Sequence, residues 1–167
     1  SSCNPTRTKT PWRMIILNKK MMPILKGQPI SNRLSKGLEI LLKEGIVAKS
    51  QCLFFRRFYV SNPHITVDLF DDMTAYECFI NNIHIEDFCL KNVVSNALAF
   101  VNRLENILKK MKVGYEIILT IQEESCTLTF HSLHKSEVSW IDFNRIEDYR
   151  CGIAIFRGNA PDWELSE

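Results

Sequence analysis

The stretch Asn92–Phe130, NVVSNALAFVNRLENILKKMKVGYEIILTIQEESCTLTF, decides the fold. In its first half Val94, Leu98, Val101, Leu104, Leu108 and Met111 recur every three or four residues. Val93, Ala97, Phe100 and Ile107 widen that stripe, so the period predicts an amphipathic helix over Asn92–Met111. Arg103, Glu105, Lys109 and Lys110 are expected on or near its other side. At 1.5 Å per residue such a helix spans roughly 30 Å, the width of a small domain, and its stripe needs a partner layer. After Gly114 the period changes to two. Tyr115, Ile117, Leu119 and Ile121 alternate with Glu116, Ile118, Thr120 and Gln122; after Glu123-Glu124-Ser125, Cys126, Leu128 and Phe130 alternate with Thr127, Thr129 and His131. That pattern is a β-hairpin with a short acidic turn.

Outward from this core, Val138–Phe143 and Gly152–Phe156 read as two further strands, with a polar stretch at 144–150 between them. Upstream, Met14–Leu17 reads as a strand and Met21–Pro29 as a loop marked by Pro23, Gly27 and Pro29. Ser31 is read as the N-cap of a helix carrying Leu34, Leu38, Ile40, Leu41 and Leu42 and ended by Gly45. The aromatic run 50–60 reads as a strand. Ile65, Val67 and Leu69 suggest another, paired as a hairpin with Thr74–Ile80 across Asp71-Asp72; Ile83 and Ile85 form a short third piece. The expected fold is α+β: an antiparallel sheet packed against one long helix, with a small helical N-terminal part.

Composition agrees with a globular protein. The chain has 167 residues and a mass of 19.4 kDa, with 46% hydrophobic and 24% charged residues, which excludes a disordered chain, a collagen and a coiled coil. No apolar run reaches the roughly 18 residues of a membrane helix. Residues 1–13, with Pro5, Pro11, Arg7, Lys9 and Arg13, read as a flexible basic arm, and 14–167 as a single domain. The six cysteines are widely spaced and most lie in apolar segments, with no CxxC pair. They predict buried thiols in a reduced, cytoplasmic protein without a structural metal.

Charge is divided along the chain. Residues 1–60 carry 12 Lys/Arg against 2 Asp/Glu, and residues 61–167 carry 9 against 17. The basic third, interleaved with Trp12, Phe54, Phe55, Phe58 and Tyr59, has the chemistry of a nucleic-acid surface, or of a solvated face complementing the acidic part.

No motif of catalysis or phosphate binding occurs. His131 and His134 lie three apart near Glu137; on a strand end they point to opposite faces and read as solvated or capping residues. His84 and Glu86 share a face beside Asp87, and Cys126 and His131 face opposite ways on one strand. These positions predict no catalytic, metal or cofactor site. Trp140, Asp142 and the Asp162-Trp163 pair combine aromatic and acidic groups of the kind that anchor interfaces.

The segments GYEIILTIQEESCTLTF and VSWIDF…EDYRCGIAIF, with the helix before them, resemble small bacterial immunity proteins that neutralise the toxin domains of contact-dependent or polymorphic toxin systems. The likeness is one of size, element order and acidic turns, and covers about 60% of the chain. It implies a non-enzymatic protein that binds a cognate protein toxin, such as a nuclease, in the cytoplasm and plugs its active site or caps a nearby surface. The candidate partner-binding residues are Glu123, Glu124, Trp140, Asp142, Glu147, Asp148 and Tyr149, the carboxylates answering the Lys/Arg of a toxin cleft. The basic N-terminal part departs from the acidic habit of nuclease inhibitors. Other readings are a nucleic-acid-binding module using that part, a dimeric secretion chaperone or adaptor, and an enzyme of unrecognised type.

Overall fold

The computed structural model describes residues 13–29 and 31–160. The expected arm up to residue 12, Cys3 and the Asp162–Trp163 tail lie outside the described residues. In chain order the elements are β1 (Arg13–Leu17), α1 (Met21–Lys26), α2 (Lys36–Glu44), β2 (Ile46–Lys49), β3 (Cys52–Phe55), α3 (Arg56–Ser61), α4 (Met73–Ile80), β4 (Ile83–His84), α5 (Val93–Lys110), β5 (Tyr115–Gln122), β6 (Ser125–Ser132) and β7 (Gly152–Gly158). Single 3-10 turns occupy Val67–Leu69, Ile85–Asp87 and Phe143–Asp148. Five strands form one antiparallel sheet in the order β1-β7-β5-β6-β4, and β2 and β3 form a separate hairpin. The fold is α+β, as the periodicities require.

The long helix and the β5–β6 hairpin form where the sequence places them. α5 keeps Lys109 and Lys110 in its last turn, where the helix dipole favours cations. The hairpin pairs Gln122 with Ser125, leaving Glu123 and Glu124 at the tip, with Glu123 at φ 55°. Alternation then sorts the side chains. Tyr115, Ile117, Leu119 and Ile121 enter the main core beneath α5, with Leu38, Leu41, Phe55 and Phe100. Ile118 faces the other way, into a second core with Cys78, Ile141, Ile146, Ile153 and Ile155. Glu105 does not lie on a solvated helix face as expected. It is buried, accepting 2.7–3.2 Å bonds from Arg13 and a 2.6 Å bond from the Tyr115 hydroxyl, and it ties β1, α5 and β5 together. Arg13, counted with the arm in the sequence, is thus the first residue of β1.

Several local readings are corrected. Residues 74–80 form α4 and not a strand. Asp72 caps it by accepting the Ala75 amide at 2.8 Å, and Glu137 accepts the Met73 and Thr74 amides at 3.3 and 2.8 Å. α4 packs against both β3 and β6, so it is apolar on more than one side and looks strand-like by pattern. Residues 67–69, its expected hairpin partner, form only a 3-10 turn. The 50–60 strand breaks after Phe55 into α3, where the Arg56 amide turns back to the Gly45 carbonyl at 2.9 Å. Met21–Lys26 is helical because Asn18 folds the chain back: its side chain accepts the Met21 amide and donates to the Ile146 and Cys151 carbonyls. The cap of α2 is Ser35 and not Ser31, through a 3.3 Å bond from the Leu38 amide. Gly45 ends α2 at φ 93°, as read. Residues 138–143 form no strand; with the following 3-10 turn they lie over the sheet face opposite α5, where Ile141 and Ile146 are buried.

Candidate functional site

Two features stand out on the sheet face that α5 leaves free: a buried polar cluster at the C-terminal end of β6, and an open groove beside α4.

The cluster begins with register. Glu116 on β5 pairs with His131 on β6 and with Arg157 on β7, so the three side chains form one row across adjacent strands. His131 Nε2 lies 3.0 Å from Glu116 Oε2, and Arg157 Nε and the Ser139 hydroxyl each donate to Oε1 at 2.7 Å. His131 Nδ1 sits 2.8 Å from the Ser132 carbonyl oxygen, which can only accept. With a carboxylate at one nitrogen and a carbonyl at the other, both nitrogens must donate, so the ring is an imidazolium. Burial opposes that charge, but the hydrogen bond and charge of Glu116 and the Ser132 carbonyl outweigh it and hold the His131 pKa above its ordinary 6.5. Burial likewise works against the Glu116 carboxylate. His131, Ser139 and Arg157 prevail and keep its pKa below the ordinary 4.5.

A second pair lies alongside. Glu77 on α4 accepts bonds from the Leu53 amide at 2.9 Å, the Ser132 amide at 3.0 Å and the Ser132 hydroxyl at 2.8 Å, and it also contacts His134 Nε2. Cys52 on β3 is buried beside them, its thiol pushed up to about 12 by burial and by the charges of Glu77 and Glu137. His131, His134, Glu137, Ser139, Arg157 and Thr74 line a cavity of about 410 Å³.

His131 is therefore a buried ion-pair partner and His134 a buried hydrogen-bond partner of a carboxylate, not the solvated or capping residues expected from the strand pattern. Their carboxylate partners come from β5 and α4, which no local pattern reveals. One signal was present: Glu116 and Glu77 each interrupt an apolar run, and such a carboxylate needs donors if the run is buried. Glu116 and Glu77 each accept three or more bonds from fixed donors, which lowers the basicity of Glu116 and holds the orientation of both. A thiol with a raised pKa is a poor nucleophile. The Cys126 thiol is also pushed up to about 12, by burial and the charge of Glu86, and it belongs to the core on the other face from His131. His84 and Glu86 form a partly exposed pair at 3.5 Å, while Glu86 also accepts the Cys126 amide.

The groove, about 320 Å³, runs between α4 and the 138–142 segment. Phe70, Phe79 and Trp140 line it, and Thr120, Thr127 and Thr129 are on its floor. Phe79 and Trp140 are large apolar groups left 57% and 49% exposed, and the rings of Phe70 and Phe79 meet at a tilt of 49° with centroids 5.3 Å apart. The Thr120–Thr127 pair lies two positions before the pair that closes the β5–β6 turn, so Glu123 and Glu124 sit beyond the groove's end. Asp142, at its other rim, caps the following 3-10 turn through the Asn144 amide. The candidate residues thus divide. Trp140 lines the groove and Asp142 follows its lining residue Ile141, whereas Glu123 and Glu124 line a separate cavity with Val93 and Val94 of α5. Glu147, Asp148 and Tyr149 sit at the β1–α1 corner, where Glu147 accepts the Lys19 amide, Asp148 pairs with Arg145, and the Tyr149 carbonyl receives Lys20. Part of the N-terminal basic charge is answered there and at Glu105, within the fold.

No helix among the described residues is long and apolar enough to cross a membrane. A family model described as "Uncharacterized protein PM0498 family" matches residues 16–163. "Uncharacterized protein PM0498" of Pasteurella multocida (strain Pm70) is 30% identical over 98 residues, covering 52% of this chain and 62% of the relative, so the match spans about three fifths of that protein's length. No solved structure matches.

Proposed function

The chain belongs to the PM0498 family of uncharacterized proteins, and from that premise we propose that it acts by docking, as an immunity-type inhibitor of a toxin domain. The observation that carries this reading is the groove beside α4: two half-exposed aromatic rings, Phe79 and Trp140, with Asp71 and Asp142 next in the chain to its lining residues Phe70 and Ile141. Exposed aromatic groups over an otherwise well-packed face are the usual anchors of an interface. Asp71 and Asp142 follow groove residues directly, and Glu123 and Glu124 stand beyond the far end; none of the four forms an ion pair with a described residue. Such a rim attracts a basic surface and speeds encounter. The partner that fits is a protein with a Lys/Arg-rich cleft and an apolar knob, as a nucleic-acid-cleaving toxin domain presents. The engagement of Glu116 by three fixed donors, His131, Ser139 and Arg157, supports inhibition by binding over catalysis.

The test is co-expression with each candidate toxin domain encoded by a gene neighbouring this one in the source genome, scored by growth rescue and by the Kd of the purified complex. Trp140→Ala should remove about 2 kcal/mol of binding, roughly 30-fold in Kd. Reversing Glu123 and Glu124 to Lys should slow association, most at low salt. No rescue, or a complex indifferent to both changes, refutes the reading. Salt-sensitive binding of RNA or DNA in place of the toxin would move the function to the basic N-terminal part.

A further inference from the structure

We propose that Cys52, Glu77 and His134 form a zinc site. The three come from β3, from α4 and from the segment after β6, and their donor atoms all lie within 4.8 Å of one another. Every one is buried: Cys52 is 2% exposed, Glu77 0% and His134 8%. The Cys52 thiol makes no hydrogen bond with a described residue, although it sits beside a carboxylate and an imidazole. A buried sulfur within 4.8 Å of both groups and bonded to neither is the donor that a metal ion would join to them.

The donor chemistry selects the ion. One sulfur, one imidazole nitrogen and one carboxylate oxygen are the ligand types of zinc, whereas magnesium and calcium take oxygen only. Thiolate and carboxylate together balance a divalent cation, so the loaded site is neutral, which is the least costly charge state to bury. Zinc bonds of roughly 2.0–2.3 Å in a tetrahedron separate ligand atoms by about 3.3–3.8 Å; the three donor atoms lie within 4.8 Å of one another, and His134 and Glu77, now in direct hydrogen-bond contact, would part to admit the ion. Binding releases two protons to solvent, the one that now joins His134 to Glu77 and that of the Cys52 thiol. Glu77 keeps its second oxygen on the Leu53 and Ser132 amides, which fixes its orientation. The charge of Glu137 reaches both Cys52 and His134 and adds to the negative potential that a cation neutralises. The fourth position goes to a water from the adjoining cavity or to the Ser132 hydroxyl, 3.2 Å from His134 Nε2. The site would pin the β2–β3 hairpin and α4 to the end of the main sheet.

The experiment uses the full chain. After dialysis the protein should retain about one equivalent of zinc by mass spectrometry. The metal-free protein should take one equivalent of Co2+ with a thiolate-to-cobalt charge-transfer band. Cys52→Ser should abolish that band and weaken zinc at least tenfold, while Cys126→Ser leaves both unchanged. Should Cys52→Ser fail to fold, the wild-type cobalt spectrum and a rise in Tm with Zn2+ but not Mg2+ decide the matter. A band that survives Cys52→Ser places the metal elsewhere and overturns the proposal. So does a wild-type protein with no band, substoichiometric zinc and an unmoved Tm.

Discussion

Glu116→Gln is the sharpest probe of the buried row His131–Glu116–Arg157. The change keeps size and shape but removes the charge that two cationic side chains, 1% and 8% exposed, face across adjacent strands. Breaking a buried pair from one side costs about 3–5 kcal/mol. For a chain of this size that is a fall of roughly 10 °C in Tm. His131 can relieve part of the cost by losing its proton, so the penalty depends on pH. In the wild type the His131 pKa is raised above 6.5, so its contribution is complete below 6.5 and fades as pH rises through the folded-state value. The Glu116 pKa is lowered below 4.5, so its contribution is complete above 4.5 and fades as pH falls through the folded-state value. The row therefore stabilises most between pH 4.5 and 6.5. In Glu116→Gln, burial acts on His131 without the carboxylate, and stability should rise with pH across that same region. Urea titrations at about pH 5.5 and pH 8.5 measure both effects, with the m-value as a check on two-state unfolding. The variant should lose about 3 kcal/mol or more at the lower pH and distinctly less at the higher. A loss below about 0.5 kcal/mol, or profiles that stay parallel, would refute the ion-paired description of the row.

Gly158→Ala should destabilise by about 1–3 kcal/mol in the same assay, because a Cβ there would lie 2.5 Å from the Tyr115 hydroxyl oxygen and 2.7 Å from its ring carbon. A shift smaller than about 0.5 kcal/mol would show that the β5–β7 contact is looser than described. Asp72→Ala should cost about 1 kcal/mol through the lost α4 cap, and less if Glu137 alone holds the first turn. Among the described cysteines, a thiol reagent applied to the native protein should modify Cys89 and Cys151 and leave Cys52, Cys78 and Cys126 until unfolding. Rapid labelling of Cys126, mapped by peptide mass, would contradict its place in the core.

Where an element owed its form to its own residues, it could be read from the chain. The stripe of α5 and the alternation of β5 and β6 are local periods of 3.6 and 2, and each fixes which side chains turn inward whatever lies opposite. The glycine at 45 likewise marks a helix end through its own backbone freedom. The loop reading over 21–29, the long aromatic strand and the 65–80 hairpin failed for one common reason. These segments take their shape from distant partners: Asn18 for α1, the Gly45 carbonyl for the Phe55–Arg56 bend, and Glu137 for the first turn of α4. Short apolar runs carry no period strong enough to outvote such contacts.

The polar cluster shows the division most clearly. An isolated carboxylate in YEIIL and another in AYECFI mark positions that need donors, and that much is present in the chain. Which donors answer is settled by strand register and by the docking of α4, since Glu116 lies 15 residues from His131 and 41 from Arg157, and Glu77 lies 57 from His134. Periodicity acts over a few residues and is written in the sequence. A buried charge network is assembled across tens of residues, and only the packed sheet brings its members within hydrogen-bonding distance.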